Sequence, residues 1–115
     1  MEKIIAIPTE NGNLCPHFGH CESFYFASIN DEKEITAEKN IVPPTHEPGL
    51  YPKWIRSQGA ECVIAGGMGE KAKILFNQEN IKVVVGAEIK EPRKLIEEYL
   101  NGSLATGANS CNHHH

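Results

Sequence analysis

The 115-residue sequence contains no apolar run approaching the roughly 20 residues that cross a bilayer. Its start, MEKIIAIPTENG, carries acidic and polar residues where an export signal needs a longer apolar core. These two absences lead to the expectation of a cytoplasmic chain with no membrane partner. A basic excess is missing as well. Eleven Lys and Arg stand against fifteen Asp and Glu, for a formal net charge of −4, and the basic residues are scattered, whereas a phosphate backbone needs a Lys/Arg stripe. No nucleic-acid partner is expected. The nucleotide loop G-x-x-x-x-G-K-[ST], the full dinucleotide loop G-x-G-x-x-G and the nucleophile elbow G-x-S-x-G are all absent. With no local catalytic signature, the chain reads as a binding protein and not as an enzyme. There are no internal repeats, and the length leaves room for one core only.

What is present has the balance of a globular protein, 40% apolar and 23% charged. Lys3 to Thr9 is a short, Ile-rich run stopped by Pro8, the pattern of a strand covered on both faces. SFYFASI (Ser23 to Ile29), the polar turn Asn30-Asp31-Glu32-Lys33 and the mixed EITAEKNIV make an antiparallel hairpin with one more exposed strand. The period then changes. Leu50, Trp54 and Ile55 fall on one helical face that stops at Gly59; ECVIAG is a strand; Met68, Ala72, Leu75 and Phe76 form an amphipathic stripe; KVVVGA is another strand. A last helix opens at Glu91-Pro92, buries Leu95, Ile96, Tyr99 and Leu100, and ends at Asn101-Gly102. The expected architecture is α/β: a mixed five-stranded sheet of order 3-2-1-4-5, its second strand antiparallel, with three helices. Residues 1–104 form the domain. Residues 105–115 form a tail without periodicity that is expected to be flexible, its closing His113-His114-His115 either native or the beginning of a purification tag.

In such sheets ligands sit beyond the C-terminal ends of the parallel strands, so the loops after Ile7 and after Ala65 are expected to face one crevice. Those loops carry the unusual residues. Cys15-Pro16-His17-Phe18-Gly19-His20-Cys21 packs two thiols and two imidazoles into seven positions, soft or borderline ligands suited to iron, copper or zinc. The spacing matches no standard zinc finger, so it names a metal class without naming the metal. Gly66-Gly67-Met68-Gly69 lies between a strand and a helix, where missing side chains let an anion, including a polyanionic metal-sulfide cluster, approach backbone N–H groups and the helix end. His46, Cys111 and His113 are isolated in loops, free to reach such a site. Cys62 sits in the apolar ECVIAGG and reads as a buried, inert thiol.

The opening strand with Pro8, His17-Phe18-Gly19 followed by Phe24, VIAGGMGEKAKILF, IKVVVGA and the helix ending YLNGSL together resemble the nitrogenase iron-molybdenum cofactor biosynthesis (dinitrogenase accessory) domains over nearly the whole length. HEPG-L-x-P before the first helix and Cys-x-His near the C-terminus, here His46, Cys111 and His113, are similar to a branch of small stand-alone members. The resemblance implies a ribonuclease-H-like fold without nuclease activity, in keeping with a central IIAIPT that carries no carboxylate to hold a nuclease metal. It also implies a carrier of iron–sulfur or molybdenum-containing clusters or their precursors. His17 is the foremost cluster contact on that reading. A P-loop ATPase of iron–sulfur assembly, or other cofactor assembly proteins, are the partners implied. Cys15, His17, His20, Cys21, His46, Cys111 and His113 are the candidate metal ligands, and His17, Gly66, Gly67 and Gly69 the candidate cofactor contacts. A mononuclear zinc or iron site of structural or regulatory purpose, and a metal-free partner-binding domain, remain open beside the cluster carrier.

Overall fold

The structure, a computed structural model, describes residues 3–15, 21–43, 50–102 and Leu104. Along the chain come strands β1 (Lys3–Glu10), β2 (Asn13–Leu14), β3 (Ser23–Ile29) and β4 (Ile35–Ile41), helix α1 (Leu50–Ser57), strand β5 (Ala60–Ile64), helix α2 (Glu70–Gln78), strand β6 (Lys82–Val84) and helix α3 (Pro92–Asn101). The sheet runs β4-β3-β1-β5-β6, with β2 added beside β1. β1 is antiparallel to β3 and parallel to β5, and β5 is parallel to β6. The expectation of a mixed α/β sheet with three helices holds among the described residues.

Strand alternation divides the core between the two faces of the sheet. Ala6, Phe24, Phe26 and Val63 lie under Tyr51 and Ile55 of α1 and Phe76 of α2. Ile5, Ile7, Tyr25, Ala27, Cys62 and Ile64 lie under Leu95 and Ile96 of α3. Because β1 and β5 are covered on both sides, their sequences are apolar without alternation, which is why they read as short continuous runs. β4 is an outer strand whose residues 36–40 are all exposed, and its sequence is correspondingly polar. α3 begins with Pro92 in its first turn and ends on Gly102 in the left-handed region at φ 75°, the usual pairing of a residue that needs no N–H with one that needs no Cβ.

Two features depart from the sequence expectation. Among the described residues the sheet has six strands, not five, because Glu10 and Asn13 pair across Asn11-Gly12. Both turn residues have positive φ, 54° and 81°, as a two-residue type I′ hairpin requires. The first strand also continues past Pro8 to Glu10. In a strand, the N–H and C=O of one residue point to the same side. The Pro8 carbonyl accepts the Cys15 amide, so the missing N–H of Pro8 faces that side too. There β5 pairs only as far as Ala6 and β2 only from Thr9. Proline therefore interrupts a stretch with no continuous ladder, where its missing donor is tolerated.

Candidate functional site

The break beside Pro8 creates a fork. β5 approaches it along one side of β1 and β2 approaches from the opposite direction on the same track. β5 turns away at Ala65, whose amide bonds to the Val84 carbonyl at 2.8 Å and whose carbonyl accepts the Ala87 amide at 3.3 Å. The β2 track ends at Cys15, held to Pro8 by its N–H at 2.9 Å and 2% exposed. Leu14 belongs to the core beneath α3, so alternation turns Cys15 to the face that carries α1 and α2. The chain returns on the opposite side of β1, where the Glu22 amide bonds to the Thr9 carbonyl at 2.9 Å and the Glu22 carboxylate accepts the Asn11 amide at 2.7 Å. The segment between the two cysteines thus starts from one edge of β1 and comes back at the other. Cys21 is half-buried against the cluster of Phe24, Tyr51 and Met68, again on the α1/α2 face.

The glycine loop leaves from the same fork. Gly66 and Gly67 are buried, yet neither is among the glycines with positive φ. Backbone freedom does not require glycine here, so the missing side chains serve space. The Gly66 carbonyl accepts the amide of Gly86, itself left-handed at φ 82°, at 3.0 Å, which fixes the path of the loop. Met68 is 1% exposed and fills the core beneath the loop. It precedes α2 and does not ride on it. Gly69 caps α2 from an extended conformation with no side-chain cap, and a Cβ there would meet nothing within 4 Å.

Helix direction adds a second property. Only Gln58 and Gly59 separate α1 from β5, so α1 runs against β5 and its start lies at the C-terminal end of the parallel strands. α2 links parallel β5 to β6 and starts at the same end. α3 does likewise: Glu91 and Pro92 at its start border a hollow with Thr9 and Gly12, and Leu100 and Asn101 border another with Lys33 and Ile35 at the far end of the sheet. Each helix start carries about half a positive charge in unsatisfied N–H groups. All three are directed at the end that holds Cys15, Cys21 and the glycine loop. The first turns of α1 and α3 contain no acidic residue; that of α2 has Glu70, paired with Lys73 at 2.8 Å.

Of the sequence candidates, the structure brings Cys15, Cys21, Gly66, Gly67 and Gly69 to one end of the sheet. His17, His20, His46, Cys111 and His113 lie outside the described residues. Among the described residues no group of three His, Cys, Asp or Glu side chains is arranged to hold a metal ion. Cys62 is on the other face, 6% exposed beneath α3, where burial pushes its thiol pKa up despite a hydrogen bond with Tyr99. Its burial is the one expected from the sequence. Sequence reasoning missed Tyr51, 4% exposed in the first turn of α1 and edge-on to Phe24 at 5.5 Å between ring centroids. Burial first, and then the negative charge of Cys21, raise the pKa of its hydroxyl. The fork itself was signalled by Pro8 together with Asn11-Gly12, the strongest short hairpin signal there is.

Open hollows border α3. One of about 380 Å³ on the α3 face is lined by Thr9, Ser23, Tyr25, Asn40 and Arg93. Several of the polar groups there are matched to one another: the Tyr25 hydroxyl donates to Glu38, Glu38 pairs with Arg93 at 2.9 Å, and the Thr9 and Ser23 hydroxyls bond at 2.8 Å. That internal pairing leaves the fork, with its thiols and bare backbone, as the better-equipped site.

The family model for the dinitrogenase iron-molybdenum cofactor matches residues 1–102. The chain belongs to this family. An uncharacterized protein of Methanocaldococcus jannaschii is 31% identical over 106 residues, 87% of each chain. Among solved structures the chain is similar to PH0822, at 28% identity and a TM-score of 0.86 over 95% of this chain and 98% of that one. It also shares its fold with the apo form of the orange protein from Desulfovibrio gigas, at 21% identity and a TM-score of 0.72 over 93% and 94%. No helix among the described residues is long and apolar enough to cross a membrane.

Proposed function

We propose that this family member binds and carries a metal-sulfide cluster, iron–sulfur or molybdenum-containing, or its precursor, and that it is a carrier and not an enzyme. One observation carries the reading: two cysteines, a buried pair of glycines and the starts of α1 and α2 share the end of the sheet at which a single proline splits the strand tracks. Thiolates are soft ligands for iron, copper and molybdenum sulfides. A sulfide cluster is polyanionic, and bare backbone with convergent helix starts offsets its charge. His17 and His20 fall between the two cysteines in sequence, which supports them as further ligands; His46, Cys111 and His113 are candidates to close over the cargo. The sheet, read as ribonuclease-H-like, has no carboxylate on its central strand before the exposed Glu10, which supports binding over nuclease chemistry. A P-loop assembly ATPase or another cofactor assembly protein is the kind of partner that would load and unload such a carrier.

Anaerobic incubation of the purified chain with ferrous iron and sulfide, and separately with thiomolybdate, tests the proposal. Sulfur-to-metal charge-transfer absorption that is lost in Cys21→Ser and in His17→Ala is the expected result. One colourless zinc per chain would replace the carrier with a mononuclear site. No uptake of any metal would leave a partner-binding domain.

A further inference from the structure

The dipeptide Asn-Gly occurs twice in the chain, at Asn11-Gly12 and at Asn101-Gly102, and the fold places the two in opposite circumstances. In this dipeptide the backbone nitrogen that follows asparagine has easy access to the side-chain amide carbon, because glycine puts no Cβ beside the attacking atom. All four residues are exposed, so water reaches both pairs alike. The backbone separates them. Asn101 is the last residue of α3, and the Gly102 N–H donates to the Glu98 and Tyr99 carbonyls. The Leu104 amide, on the Glu98 carbonyl at 3.1 Å, closes the helix end behind it. The nitrogen that would attack therefore has its proton held twice. Gly12 is instead the second residue of the two-residue turn that Glu10 and Asn13 close. Its N–H donates to no backbone carbonyl among the described residues. Apart from its chain neighbours, no atom lies within 4 Å of where a Cβ would stand.

We propose that Asn11-Gly12 is a site of spontaneous deamidation whose conversion releases β2 from the fork. The Gly12 nitrogen loses its proton to solvent base and bonds to the side-chain carbonyl carbon of Asn11. The C–N bond of the side-chain amide breaks and ammonia leaves. The five-membered succinimide then takes up one water and opens at either carbonyl, to aspartate or to isoaspartate. Both products strain what holds the turn. Each adds a negative charge at residue 11, whose own amide donates to the Glu22 carboxylate at 2.7 Å, and like charges there repel. Isoaspartate also routes the chain through the side chain and lengthens it by a methylene, whereas a two-residue turn fixes the register of its strands. β2 is only Asn13–Leu14. Beyond the turn, this segment is kept in place by the Leu14 and Cys15 amides, bonded to the Lys90 and Pro8 carbonyls at 2.9 Å each. Loss of the turn frees it first. The reaction needs only water, and it dismantles one wall of the fork whether or not the chain carries a cluster.

The metal-free full-length protein is incubated at mildly alkaline pH, sampled into acid to halt the reaction, and digested. Mass spectrometry of the two Asn-Gly peptides gives the conversion at each, and electron-transfer fragmentation separates isoaspartate from aspartate. The expected result is conversion at Asn11 faster than at Asn101 by about tenfold or more, the effect of two hydrogen bonds that must open before Gly102 can attack. In concentrated urea the two rates should converge, since the unfolded chain has lost that difference. Equal rates in the folded protein overturn the proposal, and so does an unconverted Asn11 over a period in which the chain in urea reacts. Hydrogen exchange then reads the consequence. In the converted fraction the Leu14 and Cys15 amides should exchange faster while those of β3 and β5 stay protected. Unchanged exchange at Leu14 and Cys15 overturns the release of β2.

Discussion

The Pro8 carbonyl holds the Cys15 amide at 2.9 Å, and this one bond joins the residue that ends the ladder on one side of β1 to the first thiol of the candidate site. An ordinary residue at position 8 would offer an N–H on that side, and pairing could close toward β5 or β2. Proline leaves the tracks apart, and the glycine loop leaves through the opening.

Gly69→Ser is expected to trade function for stability. Gly69 already has the extended backbone of an N-cap and space for a Cβ, so a serine hydroxyl should accept an N–H of the first turn of α2 and add a few tenths of a kcal/mol. For a domain of this size that raises the melting temperature by about 1–2 °C. If those N–H groups serve an anionic cargo, the serine competes for them, and cluster occupancy after reconstitution should fall. Thermal melts and metal-to-protein ratios measured on one preparation check both halves. A rise in both would mean that the start of α2 takes no part in binding.

The three described cysteines should separate by face. Cys15→Ala and Cys21→Ser remove thiols at the fork and should lower cluster occupancy at least about tenfold, as expected for lost ligands. Cys62→Ala, beneath α3, should leave occupancy unchanged and cost about 1 kcal/mol of stability. Iron and sulfide analysis set beside urea unfolding is the measurement. Occupancy that depends on Cys62 would put the site on the wrong face.

Much of this was legible in the chain because buried strands and amphipathic helices leave strong periodic marks. Ser23–Ile29 and the last helix from Pro92 to its Gly102 stop were readable to the residue. What escaped depended on relations between strands. A two-residue β2 is too short to carry a period, and Pro8 reads as a terminator until it is known that β5 ends short of it. The shared location of Cys15, Cys21 and the glycines followed from the rule for parallel strands. Tyr51 gave no such signal, because an aromatic residue in a first helical turn is ordinary until a thiol is found beside it. The imidazoles fall outside the described residues, so their place rests on sequence alone.

Alkali should unfold the protein earlier than its composition implies. Tyr25 is raised by burial and then by its hydrogen bond to Glu38, Tyr51 by burial and then Cys21, Tyr99 by burial and then Cys62, and Cys62 by burial. Each folded-state pKa lies above its unfolded value, so the protonated folded form keeps its full advantage below about pH 9, where the unfolded groups also hold their protons. Above the ordinary values of 9.0 for Cys and 10.0 for Tyr, the unfolded chain ionises first and stability is lost as pH rises toward the folded values. Urea midpoints at pH 7, 9, 10 and 11 should stay level to pH 9 and then fall steeply. Tyr25→Phe should flatten the fall while lowering the midpoint at pH 7 through loss of the Glu38 bond. A level curve to pH 11 would refute the assignment.

Shortening the chain tests whether its last residues contribute to binding. Leu104 closes the described domain: its amide bonds to the Glu98 carbonyl at 3.1 Å, and its side chain lies against the core beneath α3. A chain stopped after Leu104 should therefore keep the urea midpoint of the full protein, whereas one stopped after Gly102 should lose about 1 kcal/mol with that contact. The removed residues include Cys111 and His113, a thiol and an imidazole one residue apart that can turn together toward one metal, and the entropy of closing a tail on a site rises only slowly with its length. If they contribute ligands, the chain ending at Leu104 should fold as before yet load less cluster, and should surrender it faster to an external chelator. Equal loading and equal release rates in the two chains would remove both residues from the site and confine the cargo to the fork between β2 and β5.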